Sequence, residues 1–365
     1  MHAVIKHAVS LFRLRENKAL RCESAPYQSQ EFFMLRVFTS FSIRRCLVLT
    51  VLASVAGLAS AQTGAYPNRP VTVIVPFAAG GSVDAAARLV LQTLGERTRQ
   101  TFVIENVAGA SGTIGTQKVA RATADGYTLL FAVASPVTVA PAVKPSIVHY
   151  DPFKDLAPIA TVASSPFVLI GSSKFAANKT ADVIDQAKKA PGKLNYGTDG
   201  VGTSMHLTAE IIKINAGVNI EHVPYKNGPQ VLTELTSGMI ELAVMPISLA
   251  QPFIKDGKVK AYGVTSGKRW SSLPDVPALA ETPALKSVDV NSWYGMFAPA
   301  GTSDAVLNTL TTALRDTLKD PALVEKMNTA GLQPLNIERA AFTTLLQRER
   351  DELAAAVKAA GIKPE

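Results

Sequence analysis

Apolar and polar residues alternate with two different periods along the chain from Tyr66 onward. Residues 71–75 form an apolar run that stops at Pro76, a pattern typical of a buried strand. The spacing that follows Gly80-Gly81 predicts a helix in which Ser82 is the N-cap and Asp84 lies in the first turn, where the helix dipole favours an anion. The apolar face of this helix consists of Val83, Ala86, Ala87, Val90, Leu91 and Leu94.

The same alternation continues to the C-terminus. Further strands are predicted over residues 102–106, 128–132, 167–171, 194–197, 220–224, 242–245, 259–265 and 294–298. Further helices are predicted over residues 116–122, 181–190, 205–215, 229–237, 307–318, 321–331 and 339–360. Strands that alternate with helices favour an α/β fold with parallel sheets and helices on both faces.

The first 61 residues carry the three parts of a secretory signal peptide. Arg36, Arg44 and Arg45 make a positive region, residues 46–58 are free of charge, and Ala59-Ser60-Ala61 is typical of a cleavage site. The pattern predicts a start at Met34, cleavage after Ala61 and export. A buried N-terminal helix, and a long positive region that begins at Met1, are the alternatives.

Composition narrows the class of protein. The chain has 365 residues, of which 47% are hydrophobic and 18% charged, which excludes a disordered chain and allows two domains. Eight of the 37 Lys and Arg and three of the 29 Asp and Glu fall within residues 1–61, so 29 basic and 26 acidic residues remain, a net charge of +3. No clustered basic face is evident, which argues against nucleic acid. With Cys22 and Cys46 as the only cysteines, a disulfide scaffold and a cysteine-based zinc cluster are excluded.

Three glycine-rich loops precede predicted helices, at residues 76–84, 109–115 and 197–204. Small residues leave backbone N–H groups approachable, and a helix N-terminus favours an anion, so the first loop suits a carboxylate. A tight turn without a ligand explains the first loop equally well. For either of the other two loops taken alone, a tight turn is the better interpretation. Three such loops in one α/β chain nevertheless favour a binding site beyond the carboxyl ends of the strands.

Catalytic motifs are absent from the sequence. There is no nucleophile elbow and no H-E-x-x-H, and His149, His206 and His222 lack metal-type spacing. His206 and Asp84 are the candidate bases, although a capping histidine and a carboxylate that accepts backbone N–H groups are the simpler interpretations. We therefore expect no metal and no cofactor.

Eight stretches resemble one family in the same order along the chain. They are residues 66–71, 75–84, 105–115, 124–130, 150–158, 196–204, 223–226 and 293–301. Over residues 66–363 the chain resembles the Bug-type, TctC-like extracytoplasmic solute receptors of tripartite tricarboxylate transporters.

The resemblance implies a two-lobed periplasmic binding protein of the type II-like Venus-flytrap kind, with parallel or mixed sheets flanked by helices. Lobe 1 would comprise residues 62–163 and 267–365, and lobe 2 would comprise residues 164–266. Such a receptor is expected to act as a monomer in the periplasm, to catch a small carboxylate and to present it to membrane subunits of the transporter. A sensor that feeds a signalling protein and an enzyme on a similar fold are the alternatives.

The resemblance also implies the ligand-binding residues. They are Phe77, Ala78, Ala79, Gly80, Gly81, Ser82, Asp84, Ser111, Gly202, Thr203, Ser204, His206, Tyr225, Asn227 and Gly228. Two departures from the family pattern, Asn227 and Pro246, lie where the distal end of the ligand is expected. The chemical identity of the solute therefore stays open.

Overall fold

The computed structural model describes residues 66–359, and for residues 355–359 it describes the backbone alone. The predicted signal peptide, its cleavage site before Gln62 and the predicted start at Met34 lie outside the described residues. Within residues 66–359, no helix combines the length and the apolar character needed to cross a membrane.

The described part of the chain contains ten strands and ten α-helices. The strands are β1 (Val71–Val75), β2 (Phe102–Asn106), β3 (Thr128–Val133), β4 (Leu156–Ser172), β5 (Asn195–Thr198), β6 (Glu221–Pro224), β7 (Leu242–Pro246), β8 (Val259–Val264), β9 (Asn291–Pro299) and β10 (Gln333–Pro334). The helices are α1 (Ser82–Thr98), α2 (Thr113–Ala120), α3 (Ala140–Val143), α4 (Thr180–Lys189), α5 (Ser204–Ala216), α6 (Gly228–Ser237), α7 (Ile247–Lys255), α8 (Asp304–Thr317), α9 (Pro321–Thr329) and α10 (Arg339–Ala359).

The strands form one continuous sheet with two segments that share β4. Sheet A has the order β2-β1-β3-β9-β4, and sheet B continues β4-β7-β5-β6, while β8 and β10 also pair with β4. Strands β1, β2 and β3 are parallel, as are β5, β6 and β7. Strands β4 and β9 run antiparallel to their neighbours. The predicted α/β class with mixed sheets is confirmed, whereas the purely parallel sheets favoured by the alternation alone are wrong.

The 17-residue strand β4 carries the chain from one sheet segment to the other. Its residues 156–166 pair with β9, and its residues 167–172 pair with β7 and β8. The sequence prediction found only the second part of this strand, since Pro158 and Pro166 interrupt the apolar pattern of the first part.

Each sheet segment has its own hydrophobic core. The core of sheet B is drawn from one stretch, residues 167–288. The two faces of sheet A are covered by residues from 71–163 and from 293–353. Trp270 and Val288 belong to the core of sheet B, which favours a second crossing between the cores near residue 290 rather than near 266. The lobe boundaries themselves remain a prediction.

Local chemistry explains where the helix predictions failed. Gly81, not Ser82, is the N-cap of α1, and no side chain caps this helix end. Helix α2 begins three residues before its predicted start because Gly112, at φ +90°, turns the backbone directly into it. Helix α7 was not predicted, since Pro252 inside it reads as a helix breaker.

Candidate functional site

One cavity of about 560 Å³ lies at the carboxyl ends of strands from both sheet segments. On the sheet A side it is lined by Phe77, Ala78, Gly81, Ser82, Val83, Ala108, Gly109, Ala110, Ser111, Gly112, Lys144 and Ile147. On the sheet B side it is lined by Asp199, Gly200, Val201, Met205, Tyr225, Lys226, Asn227, Gly228, Pro246 and Leu249. The three glycine-rich loops of the sequence therefore contribute to a single cavity, where ligands of open α/β sheets bind.

The loop between β1 and α1, residues 77–82, is termed the anion loop. Its Gly80 has φ +78°, a backbone conformation that favours glycine. The N–H of Gly80 donates to Asp84 Oδ2 at 2.9 Å, and the N–H of Gly81 donates to the Ala78 carbonyl at 3.3 Å. The first N–H groups of α1, which begin at Ser82, have no acceptor within their own helix. Donors for an anion are therefore concentrated at the start of α1 rather than at the two glycines.

Asp84 fixes the position of the anion loop through hydrogen bonds. It is only 3% exposed, and its carboxylate accepts hydrogen bonds from Gly80 N, Arg88 Nε (2.9 Å) and Asn106 Nδ2 (3.0 Å). Asn106 Nδ2 also donates to the Phe77 carbonyl at 3.1 Å. The carboxylate thus links the loop to α1 and to the end of β2.

The same contacts decide the charge of Asp84. Burial opposes ionisation, but hydrogen bonds from Arg88, Gly80 and Asn106 outweigh it and hold the pKa of Asp84 below its usual value. A carboxylate with a lowered pKa and with both oxygens occupied is a poor general base. Asp84 therefore fits the role of positioning the loop.

The loop after β2 approaches the sheet B side of the cavity directly. Four consecutive residues, from Gly109 to Gly112, have positive φ angles, and two of them, Ala110 and Ser111, are not glycine. Ser111 Oγ donates to the Val201 carbonyl at 2.6 Å. A Cβ added to Gly112 would lie 3.1 Å from Phe77 Cζ, so this glycine lets Phe77 lie against the loop. Unusual backbone of this kind is common at ligand sites.

The loop after β5 uses its hydroxyl groups within the protein. Thr203 is the N-cap of α5 and accepts from His206 N at 3.3 Å. Ser204 N donates to Ser135 Oγ at 3.0 Å, and the hydroxyls of Ser204 and Ser135 are also 3.0 Å apart. Both hydroxyls therefore support the loop geometry, and neither residue lines the cavity.

His206 and His222 form a stack beside the cavity. Their rings are 4.2 Å apart, and His206 Nδ1 accepts from Gly202 N at 3.3 Å. His222 Nε2 lies 2.7 Å from Thr198 Oγ1. Burial, together with the neighbouring His206, lowers the pKa of His222 to about 4. His222 is therefore neutral at pH 7.

The start of α6 forms the far wall of the cavity. Asn227 caps this helix, because its Oδ1 accepts from Gln230 N at 2.9 Å. A Cβ added to Gly228 would lie 2.7 Å from Leu249 Cδ2, so the wall is tight here. Pro246 and Leu249 make this end of the cavity apolar.

The structure brings eight of the fifteen predicted residues to the cavity wall. They are Phe77, Ala78, Gly81, Ser82, Ser111, Tyr225, Asn227 and Gly228. The other seven, which are not among the lining residues, are Ala79, Gly80, Asp84, Gly202, Thr203, Ser204 and His206. The charged lining residues Lys144, Asp199 and Lys226 were not among the predicted ligand-binding residues. Contact of any of these residues with a ligand remains a prediction.

The family model of the tripartite tricarboxylate transporter family receptor, TctC, matches residues 86–362. The chain belongs to this receptor family. It is 35% identical over 327 residues to a UPF0065 protein of Bordetella pertussis, across 89% of the receptor and 99% of that relative. The resemblance predicted from the motifs is thereby confirmed.

Two solved structures place the receptor among periplasmic binding proteins. The periplasmic binding protein BugD is 34% identical, with a TM-score of 0.78, over 82% of the receptor and 100% of BugD. The R. palustris protein Rpa4515, solved with adipate, is 31% identical, with a TM-score of 0.79, over 82% of the receptor and 100% of Rpa4515. The receptor has the two-lobed fold of these proteins, as predicted.

Proposed function

We propose that the receptor captures a small carboxylate-bearing solute in the cavity and presents it to membrane subunits of a tripartite tricarboxylate transporter. The observation that carries this proposal is the anion loop. The loop consists mostly of small residues and places the N-terminus of α1 at the cavity wall. Asp84, which does not line the cavity, fixes the loop through a hydrogen bond from Gly80 N. The adipate bound by Rpa4515 supports a carboxylate as the ligand class.

Neutral donors suit a site that must both bind and release its ligand. Backbone N–H groups at a helix N-terminus attract an anion without leaving a buried cation unpaired when the ligand departs.

We propose that the two lobes meet at this cavity. Lobe 1 would comprise about residues 66–165 and 291–359, and lobe 2 would comprise the intervening chain. Closure would then bend the chain near Ser165 and near Val290. Close to these points, Phe167 and Val290 both hydrogen-bond to Thr265.

We propose further that the receptor performs no chemistry on its ligand. The two bases suggested by the sequence, Asp84 and His206, do not line the cavity. Both carboxylate oxygens of Asp84 already accept hydrogen bonds, and the ring of His206 lies against His222. Recovery of the ligand unchanged after prolonged incubation is the expected outcome.

Thermal unfolding in the presence of carboxylates tests the proposed function. A cognate carboxylate at a hundred times its dissociation constant should stabilise the receptor by about 2.7 kcal/mol. The panel should contain mono-, di- and tricarboxylates, amino acids and aromatic acids, each beside its neutral amide as a control. Stabilisation by amides and by no carboxylate would contradict the proposal.

We also propose that the receptor is exported and that the mature protein begins at Gln62. The basis is the charge and apolar pattern of residues 34–61. N-terminal sequencing of protein released by osmotic shock should give Gln62 first, and light scattering should give the mass of a single chain. Soluble cytoplasmic protein that retains residues 34–61 would contradict the export proposal.

A further inference from the structure

Residues 201–207 of lobe 2, termed the docking segment, are hydrogen-bonded directly to lobe 1. Ser111 Oγ donates to the Val201 carbonyl at 2.6 Å. Ser204 N donates to Ser135 Oγ at 3.0 Å, and the two serine hydroxyls are also 3.0 Å apart. Ser111 and Ser135 follow strands β2 and β3 of sheet A. Protein groups therefore connect the two lobes without a ligand group between them.

Apolar packing joins the same segment to lobe 1. Leu207 lies on α5, a helix of lobe 2, but it packs against a hydrophobic core of sheet A. Ile211, one turn later on the same helix, packs against the core of sheet B. A Cβ added to Gly202 would lie 3.3 Å from Val143 Cγ2, so the backbone of the segment also approaches lobe 1 closely. The beginning of α5 thus contacts one lobe, while its next turn belongs to the other.

Opening of the lobes would separate these contacts. Ser135 is only 3% exposed, and Ser135, Ser204 and Leu207 do not line the cavity. Their contacts therefore stabilise the closed arrangement of the lobes rather than the ligand itself. One hydrogen bond within a protein typically corresponds to about two- to twelvefold in an equilibrium constant, which is enough to shift the balance between open and closed lobes.

We propose that the docking segment sets the affinity of the receptor by stabilising the closed lobes, and that Ser135 and Leu207 act on this affinity without touching the ligand. The apparent dissociation constant is the intrinsic one divided by the fraction of receptor that is closed. Loss of a docking contact should therefore weaken all ligands by the same factor, whereas loss of a ligand contact would discriminate between them. This inference rests on the proposed function, because it assumes that the lobes close around the solute.

Titration calorimetry on the receptor measures the effect on affinity. The probes are succinate, adipate, citrate, glutamate and benzoate, which differ in the groups that accompany the first carboxylate. Leu207→Ala should weaken every probe that binds the wild type by about tenfold, because three carbons lose their partial burial. Ser135→Ala should weaken each of them by about fivefold. For either variant, the factors should agree between probes to within twofold.

Ile211→Ala and Thr138→Val are the matched controls. Ile211→Ala also removes three carbons from α5, but from a side chain that packs within lobe 2. Thr138→Val removes a hydroxyl from the same turn as Ser135, and this hydroxyl donates within lobe 1, to the Ala134 carbonyl at 3.2 Å. Neither residue lines the cavity. Whatever their effect on the melting temperature, both controls should keep every affinity within twofold of the wild type.

Distances between the lobes give a second measurement that needs no ligand. Cys22 and Cys46 precede the proposed mature N-terminus, so spin labels at Val103→Cys in lobe 1 and Thr233→Cys in lobe 2 would be the only ones in the mature receptor. Both positions are exposed, and neither lines the cavity. Double electron–electron resonance should show a larger share of long distances in Leu207→Ala and Ser135→Ala than in the wild type or the controls.

The outcomes separate this inference from the proposed function. A uniform loss of affinity, or a shift to longer distances, in both docking variants but in neither control would support the docking role. Unchanged affinities together with unchanged distances, or a loss confined to some of the probes, would overturn it. If no carboxylate bound the wild type, the proposed function would fail, and the distances alone would decide the role of the docking segment. If one docking variant did not fold, the other would decide.

Discussion

Replacing Gly81 by valine should abolish carboxylate binding and leave the fold intact. Gly81 lines the cavity and precedes α1, and a Cβ there would lie 3.2 Å from the Ala78 carbonyl oxygen. Its backbone, at φ −77° and ψ 171°, is extended and is accessible to any residue. The loss of an acceptable N-cap should destabilise the protein by only about 1 kcal/mol. The branched side chain would occupy the space that the anion needs, and titration calorimetry should show at least a hundredfold loss, about 2.7 kcal/mol.

Gly80→Val should abolish binding by a different route. Gly80 does not line the cavity and has open space around it, but its φ of +78° is unfavourable for a β-branched residue. The loop should change conformation and displace the N–H groups at the start of α1.

Gly257→Val is the matched control for Gly80→Val, since Gly257 has φ +66° and nothing near its Cβ position, and it does not line the cavity. A left-handed conformation costs a non-glycine residue about 1–2 kcal/mol or more at either position. Only the Gly80 variant should lose binding. Wild-type affinity in both the Gly80 and the Gly81 variants would show that the carboxylate is held elsewhere.

Asp84→Ala should destabilise the receptor by about 2–4 kcal/mol and weaken carboxylate binding at the same time. The substitution leaves the Gly80 N–H without an acceptor and removes the link to Asn106. Chemical denaturation should give the loss of stability. Asp84→Asn, which keeps one acceptor oxygen, should have a smaller effect on both quantities. Binding unchanged in Asp84→Ala would show that the loop keeps its conformation without this residue.

Arg88→Ala is the control for the Asp84 variants. Arg88 donates to the same carboxylate, but its side chain is 56% exposed, so its removal should cost less than about 1 kcal/mol.

The lowered pKa of Asp84 sets a pH window for its contribution. A carboxyl group whose pKa is lower in the folded than in the unfolded state stabilises the fold fully above its ordinary pKa, near 4. This contribution is lost as the pH falls through the folded-state pKa. Asp84→Asn should therefore flatten the acid limb of the stability curve below about pH 4.

The sequence predicted those elements whose pattern reflects burial along a single strand or helix. The bounds of β1 and β2 were predicted residue for residue. The antiparallel insertion of β9 between β3 and β4 could not be predicted, since pairing between residues 130 and 297 leaves no local periodicity.

In the candidate site, too, the features predicted from the sequence are local ones, and those that depend on long-range packing were not predicted. The anion loop was predicted from its small residues and from the helix that follows, both of which are local features. Asp199 was overlooked because aspartate within a glycine-rich stretch is the ordinary composition of a turn. Only the packing of the surrounding loops determines that its Oδ1 is buried. Thr203 and Ser204 were predicted to bind the ligand, and in the structure their hydroxyls hydrogen-bond to the start of α5 and to Ser135. Their contact with a ligand remains a prediction.

The position of β9 constrains the order in which the chain can complete its fold. Strand β9 is hydrogen-bonded on both sides, to β3 and to β4, but its first residue is Asn291. Every partial chain that ends before Asn291, whether emerging from the ribosome or crossing a membrane, therefore leaves the facing edges of β3 and β4 without this strand. The residues that form the core of sheet B all lie within 167–288 and so precede this strand in the sequence. In such a chain the flanking segments still expose strand edges, which are sites of intermolecular pairing.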